Sequence, residues 1–136
     1  MSLVRTFALV GALLMYSTSA ISSNQEKYPK MEHLFVKTDH DRTVDIRLGE
    51  TVRIALAENA TTGYRWAIDR YDEKFINLLA TEPHYSNDTV GSGGEIHFIF
   101  QGKTSGTGEI FLKQWRSWEG DSSVIARFHI RLHVLP

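Results

Sequence analysis

The sequence predicts an all-β protein built as an antiparallel β-sandwich, and three observations carry that expectation. Apolar residues recur at every second position through several short runs. Glycine-bearing polar turns separate those runs at the spacing of a sandwich rather than of a helical or α/β domain. The chain has 136 residues and is 42% hydrophobic, enough for one domain with its own core.

Taken in order, residues 33–37 form a first short strand. In residues 43–48, Val44, Ile46 and Leu48 share one face. A turn at Gly49 and Glu50 leads into residues 51–56, where Val52, Ile54 and Leu56 point inward. Residues 72–79 fit either one helical turn or an irregular strand. Residues 95–100 place Ile96, Phe98 and Phe100 on one side, and residues 110–115 set Ile110, Leu112 and Gln114 against Phe111, Lys113 and Trp115. The last run is the most regular: Phe128, Ile130, Leu132 and Val134 alternate with Arg127, His129, Arg131 and His133.

Composition removes several function classes. Fifteen Lys and Arg balance sixteen Asp and Glu, and there is no cysteine. Disulfides, Cys-ligated zinc or iron–sulfur sites and thiol nucleophiles are therefore excluded. A net charge of −1 argues against nucleic acid as a partner, which calls for a dense basic surface.

Residues 1–20 read as a signal peptide, residues 21–32 as a flexible leader and residues 33–136 as the folded domain. Arg5 supplies the positive start, an apolar run extends from Phe7 to Met15, and Thr18 and Ala20 occupy the small-residue positions before a cut. The alternatives are a buried helix or an uncleaved anchor. Cleavage leaves a chain with no stable membrane anchor, exported to a periplasmic, vesicular or secreted location without disulfides.

Catalytic machinery is thin. His129 and His133 lie four apart on one strand, too far for a shared metal, and Arg127 and Arg131 share their face, which reads as a solvated basic surface. Gly102-Lys103-Thr104 would end a phosphate loop only with glycine five residues earlier, where His97 stands. Asp69, Asp72 and Glu73 read as a solvated polar loop. No catalytic residue, metal site or cofactor is expected, and the chain reads as a non-enzyme.

Three turn segments have compositions unusual for mere connections: Asn59-Ala60-Thr61-Thr62-Gly63-Tyr64, Gly91-Ser92-Gly93-Gly94, and Arg116-Ser117-Trp118-Glu119-Gly120. Bare glycine backbone allows close approach of a partner. Trp and Arg are common interface anchors. Each segment alone also fits an ordinary turn, with Trp118 folded back on the sandwich edge.

In this order, Asn-x-Thr-Thr-Gly-Tyr, Gly-x-Gly-Gly and Arg-x-Trp resemble the chagasin-type inhibitors of papain-like cysteine peptidases, over roughly residues 45–135. The resemblance implies an immunoglobulin-like antiparallel β-sandwich with three binding loops at one end. It implies one inhibitor per enzyme, acting as a monomer by reversible, competitive occlusion of the active-site cleft. Residues 59–64 would be the central wedge, with Thr61 and Thr62 nearest the catalytic cysteine. Residues 91–94 would lie along the non-primed side, and Arg116, Ser117 and Trp118 over the primed side. Tyr64 and Trp66 would pack the base of the wedge into the core.

Two positions depart from the family pattern, which has proline where this chain has Ala60 and Ser117. One consequence is a glycosylation acceptor triplet at Asn59-Ala60-Thr61, in addition to Asn87-Asp88-Thr89. A glycan at Asn59 would obstruct the wedge, so the expectation is a bacterial protein or one unmodified there. The competing function is an immunoglobulin-like adhesion module that binds carbohydrate or protein, with Trp115 and Trp118 as a stacking platform. The Thr-Thr-Gly segment has no purpose in such a platform.

Overall fold

The computed structural model describes residues 31–85 and 93–136. The expected signal peptide, the leader up to residue 30, Asn87, Gly91 and Ser92 lie outside the described residues. Eight strands are found among the described residues: β1 (Glu32–Phe35), β2 (Thr43–Arg47), β3 (Thr51–Glu58), β4 (Arg65–Tyr71), β5 (Ile76–Tyr85), β6 (Gly94–Gly102), β7 (Gly106–Trp115) and β8 (Ala126–Leu135). They form two four-stranded sheets, ordered β1-β3-β6-β5 and β2-β8-β7-β4. No helix among the described residues is long and apolar enough to cross a membrane.

The alternating residues of the central strands meet between the sheets. Val52, Ile54, Leu56, Phe98 and Phe100 come from one sheet, and Ile110, Leu112, Phe128, Ile130, Leu132 and Val134 from the other, all within 2% of full burial. Each such side chain removed from water contributes about 1.5–3 kcal/mol, and these residues make up the main driving force for closing the sandwich.

The pairing is not wholly antiparallel as expected. β1 runs parallel to β3, and β2 runs parallel to β8, whereas the remaining pairs are antiparallel. β2 lies in the other sheet, so β1 and β3, two strands apart in sequence, run the same way when they become neighbours. The same holds for β2 and β8. The connections from β3 to β4 (59–64) and from β7 to β8 (116–125) meet at one end, where Arg116 reaches Thr62.

Several local expectations are corrected. Leu48 does not join the core face: β2 stops at Arg47 and Leu48 sits in the turn, 49% exposed. The chain turns early because Glu50 accepts the Arg47 N–H on its carboxylate at 2.8 Å, and Gly49 takes a φ of 87°. Residues 72–79 divide into a turn and the start of β5. Asp69 lies within β4, paired with Lys113 at 3.3 Å and Arg127 at 3.7 Å, rather than in a polar loop. The face carrying His129 is not simply basic: its ring stacks on Phe111 and pairs with Asp41 at 3.0 Å and Glu109 at 2.5 Å.

Glu50 also takes a hydrogen bond from His33 at 3.1 Å. The Arg47 N–H first, and His33 second, hold its carboxyl below the usual 4.5. A depressed carboxyl stabilises the fold above its unfolded value, and that contribution is lost as pH falls through the folded value. Glu50→Gln is therefore expected to lower the melting temperature at pH 7, with the gap from wild type closing well below pH 4.5. A gap that stays constant across thermal melts from pH 7 to pH 3 would contradict this.

Candidate functional site

The first candidate loop is a capped 3-10 turn. Asn59 is extended (φ −120°, ψ 107°), and its Oδ1 accepts from the Thr61 N–H at 3.1 Å and the Thr61 hydroxyl at 2.7 Å. That is N-cap chemistry in miniature. The Thr62 hydroxyl donates to the Asn59 carbonyl at 2.8 Å. Gly63 ends the turn at φ 79°, in the left-handed region that favours glycine. Thr61 and Thr62 are left exposed at the tip.

The third candidate loop folds onto the first. The Arg116 guanidinium donates to the Thr62 carbonyl from Nε at 3.1 Å and from Nη2 at 3.0 Å. It lies 4.2 Å above the Tyr64 ring and pairs with Glu119 at 3.1 Å. Trp118 rests against Gly63, where a methyl group would come within 2.6 Å of its Cη2. Most of the indole still faces solvent, at 71% exposure. Two loops 54 residues apart in sequence thus form one ridge, with their side chains already placed.

Beneath this ridge, Ser123 is buried and pins the third loop, accepting from the Arg116 N–H at 3.0 Å and donating to the Gly120 carbonyl at 2.6 Å. Lys113 reaches Asp121 at 3.0 Å and lies 3.7 Å over the Trp115 ring. Its hydrogen bonds, to Asp121 first and Asp69 second, hold its ammonium above the usual range.

Of the second loop, Gly93 and Gly94 are described. Gly94 is the first residue of β6, paired with Glu58 and Tyr85. A Cβ there would meet Tyr85 Cα at 2.9 Å and the His84 carbonyl at 2.8 Å, so the fold itself requires this glycine. An open groove of about 520 Å³ runs between the first and second loops, bounded by Ala57, Glu58 and Asn59 on one side and Gly93, Gly94 and Glu95 on the other.

Trp66 is buried as expected, and its indole N–H donates to the Ala57 carbonyl at 3.0 Å. Tyr64 is half-buried and supports Arg116 rather than the core. The sequence reading missed Glu58, Tyr85, Lys113 and Ser123. Glu58 is 5% exposed, accepts the Trp66 N–H at 2.9 Å and also accepts the Tyr85 hydroxyl. One signal for it was available: position 58 continues the inward parity of Val52, Ile54 and Leu56, which puts a carboxylate where a strand needs either an apolar group or dedicated donors.

Known proteins resemble the chain along most of its length. Residues 45–132 match the family described as chagasin family peptidase inhibitor I42. Chagasin of Trypanosoma cruzi is 31% identical over 107 residues, covering 75% of this chain and 97% of that protein. Amoebiasin-1 of Entamoeba histolytica is 30% identical over 80 residues, covering 59% of this chain and 78% of its own. In fold, the chain is similar to the crystal structure of the Entamoeba histolytica cysteine protease inhibitor EhICP2, with a TM-score of 0.68, 22% identity, and coverage of 79% of this chain and 99% of that one. Its sandwich, its loop motifs and these relatives agree: the chain belongs to the chagasin family of peptidase inhibitors.

Proposed function

We propose that the chain is a reversible, competitive inhibitor of papain-like cysteine peptidases, not an enzyme, and that it blocks the active-site cleft with the loops at one end of its sandwich. One observation carries the reading: the two hydrogen bonds from Arg116 to the Thr62 carbonyl, at 3.1 and 3.0 Å, join the first and third loops before any partner arrives. A ridge formed in advance loses little conformational freedom on docking, and that saving appears directly as affinity. Thr61, Thr62 and Trp118 are exposed on the ridge and are assigned contacts with the enzyme.

The deciding experiment is titration of the protein against papain with a fluorogenic peptide substrate. Loss of activity at one inhibitor per enzyme, relieved by excess substrate, is the expected result. Full activity at micromolar protein would return the reading to an adhesion module. Against that module, Lys113 already covers one face of Trp115 at 3.7 Å, so Trp115 and Trp118 do not form a free pair of stacking surfaces.

The two family prolines missing here have places ready for them. Ala60 and Ser117 each begin a 3-10 turn, the position where a missing N–H costs least. The residues before them, Asn59 (ψ 107°) and Arg116 (ψ 111°), are extended, as a residue preceding proline prefers to be. Ala60→Pro and Ser117→Pro are each expected to contribute about 0.4–1 kcal/mol by restricting the unbound loop, a two- to fivefold tighter inhibition constant. Constants unchanged or weaker for both variants would rule this out. Ala60→Pro also removes the acceptor triplet at Asn59.

Export of the mature chain is part of this proposal and is supported by the charge, apolar run and small residues of positions 1–20. N-terminal sequencing of secreted protein should begin at Ile21.

A further inference from the structure

On the outer face of the β5–β6 pair, four polar side chains line up. Glu82 stands opposite His97, and His84 opposite Glu95. Strand alternation turns this set away from Ile96 and Phe98, which fill the core. One donor atom from each of Glu82, His84 and His97 lies within 4.8 Å of the others. His84 Nε2 is already 3.5 Å from Glu82 Oε1, and the two imidazole rings are stacked with centroids 3.9 Å apart.

A second observation shows that this cluster is arranged around positive charge. Glu82 Oε1 and His97 Nδ1 both face one cationic nitrogen, Arg53 Nη1, at 3.1 and 2.9 Å. A carboxylate oxygen and an imidazole nitrogen from adjacent strands therefore converge on a single cation. Arg53 also has another anchor, Nε to Glu32 at 3.0 Å, so it can release these two groups and remain paired.

Two imidazoles and a carboxylate, with one position left for water, are a donor set that zinc uses. Imidazole nitrogen selects zinc, copper and nickel over magnesium and calcium, which prefer oxygen. Tetrahedral zinc with bonds of about 2.0–2.1 Å needs donors roughly 3.3–3.4 Å apart. The His84–Glu82 pair is close to that separation. His97, whose Nε2 is 3.0 Å from Glu95 Oε1 and whose ring stacks on His84, has to turn its Nδ1 from Arg53 toward the ion to complete the set.

We propose that Glu82, His84 and His97 bind a divalent transition metal, with Zn²⁺ as the reference ion, and that the metal displaces Arg53 from Glu82 and His97. The site lies next to Tyr85 and Gly94, the last pair before the 86–93 connection, so a bound ion clamps the stem of the second loop. It is formed by this chain alone and does not rest on peptidase inhibition.

The test is calorimetric titration of ZnCl₂ into protein freed of any affinity tag, at pH 7.5. One ion per chain with a dissociation constant of about 10 µM or tighter is expected. His84→Ala and His97→Gln should each weaken binding at least tenfold, whereas His133→Ala, on the other sheet, should not. Zinc should raise the melting temperature of wild type but not of His84→Ala, which retains the fold because its side chain is half exposed. Co²⁺ should show visible absorption bands of a low-coordinate nitrogen–oxygen site in wild type, absent in both variants. Absence of zinc binding, binding that survives both His84→Ala and His97→Gln, or equal loss in His133→Ala would each overturn the proposal.

Discussion

Replacing Trp118 and Thr61 together with alanine is expected to weaken inhibition of papain by at least about 100-fold without changing the stability of the protein. Trp118 presents its indole to solvent at 71% exposure, an apolar surface that the free molecule gains little by displaying. Truncating a central aromatic anchor in an interface typically costs about 2–4 kcal/mol, and 2.7 kcal/mol is a factor of 100. Thr61 adds a second contact at the tip of the ridge. In the free protein both side chains have little to lose. Trp118 rests on Gly63, and the Thr61 hydroxyl bonds Asn59 Oδ1, which keeps the Thr61 N–H as its donor. The melting temperature should therefore stay close to wild type, as is usual for exposed positions. An inhibition constant within threefold of wild type would remove these two residues from the contact surface.

Glu58→Ala is expected to produce the opposite pattern, a large loss of stability followed by weaker inhibition. The Glu58 carboxylate is buried at the end of β3 and ties together β4, through the Trp66 N–H at 2.9 Å, and β5, through the Tyr85 hydroxyl. Alanine leaves a buried backbone donor and a phenolic hydroxyl without their acceptor. A hydrogen bond to a charged acceptor contributes about 1.5–3 kcal/mol, so the pair amounts to about 3 kcal/mol or more. For a domain of this size that corresponds to a drop in melting temperature of roughly 12–20 °C. Glu58→Gln retains one acceptor oxygen and should lose about half as much. Thermal melts of the two variants decide the matter: a Glu58→Ala midpoint within a few degrees of wild type would show that the carboxylate does not hold the loop bases together.

Much of the fold was legible because alternation is a local property. Phe128, Ile130, Leu132 and Val134 face the core as their spacing requires, and so do Val52, Ile54 and Leu56. The expected sandwich and the inhibitor family are both borne out. β4 escaped recognition, and β5 was legible only as an alternative to a helical turn over residues 72–79, for a physical reason. Each shifts register part-way along, β4 between Ile68 and Arg70 and β5 between Leu78 and Ala80, and an inserted residue reverses the parity on which the reading depends. Both are also edge strands, so Leu78 and Leu79 remain exposed and blur the pattern further.

The loops were legible as compositions but not as a site. Asn59, Gly63, Gly94, Arg116 and Trp118 stand out along the chain because turns and caps select residue types locally. What makes a ridge of them is the Arg116 grip on the Thr62 carbonyl across 54 residues, together with the Glu58 carboxylate beneath it.

By itself, the sequence determined which faces of the central strands are buried, where the chain turns and which three segments carry unusual chemistry. Each of these follows from residues a few positions apart. The tertiary structure alone decided that β1 pairs in parallel with β3 and β2 with β8, and that two of the loops meet. It also decided that a buried carboxylate joins three strands and that Glu82, His84 and His97 converge beside Arg53. These arrangements depend on which strands become neighbours when the two sheets close over a shared core, and no local spacing encodes that choice.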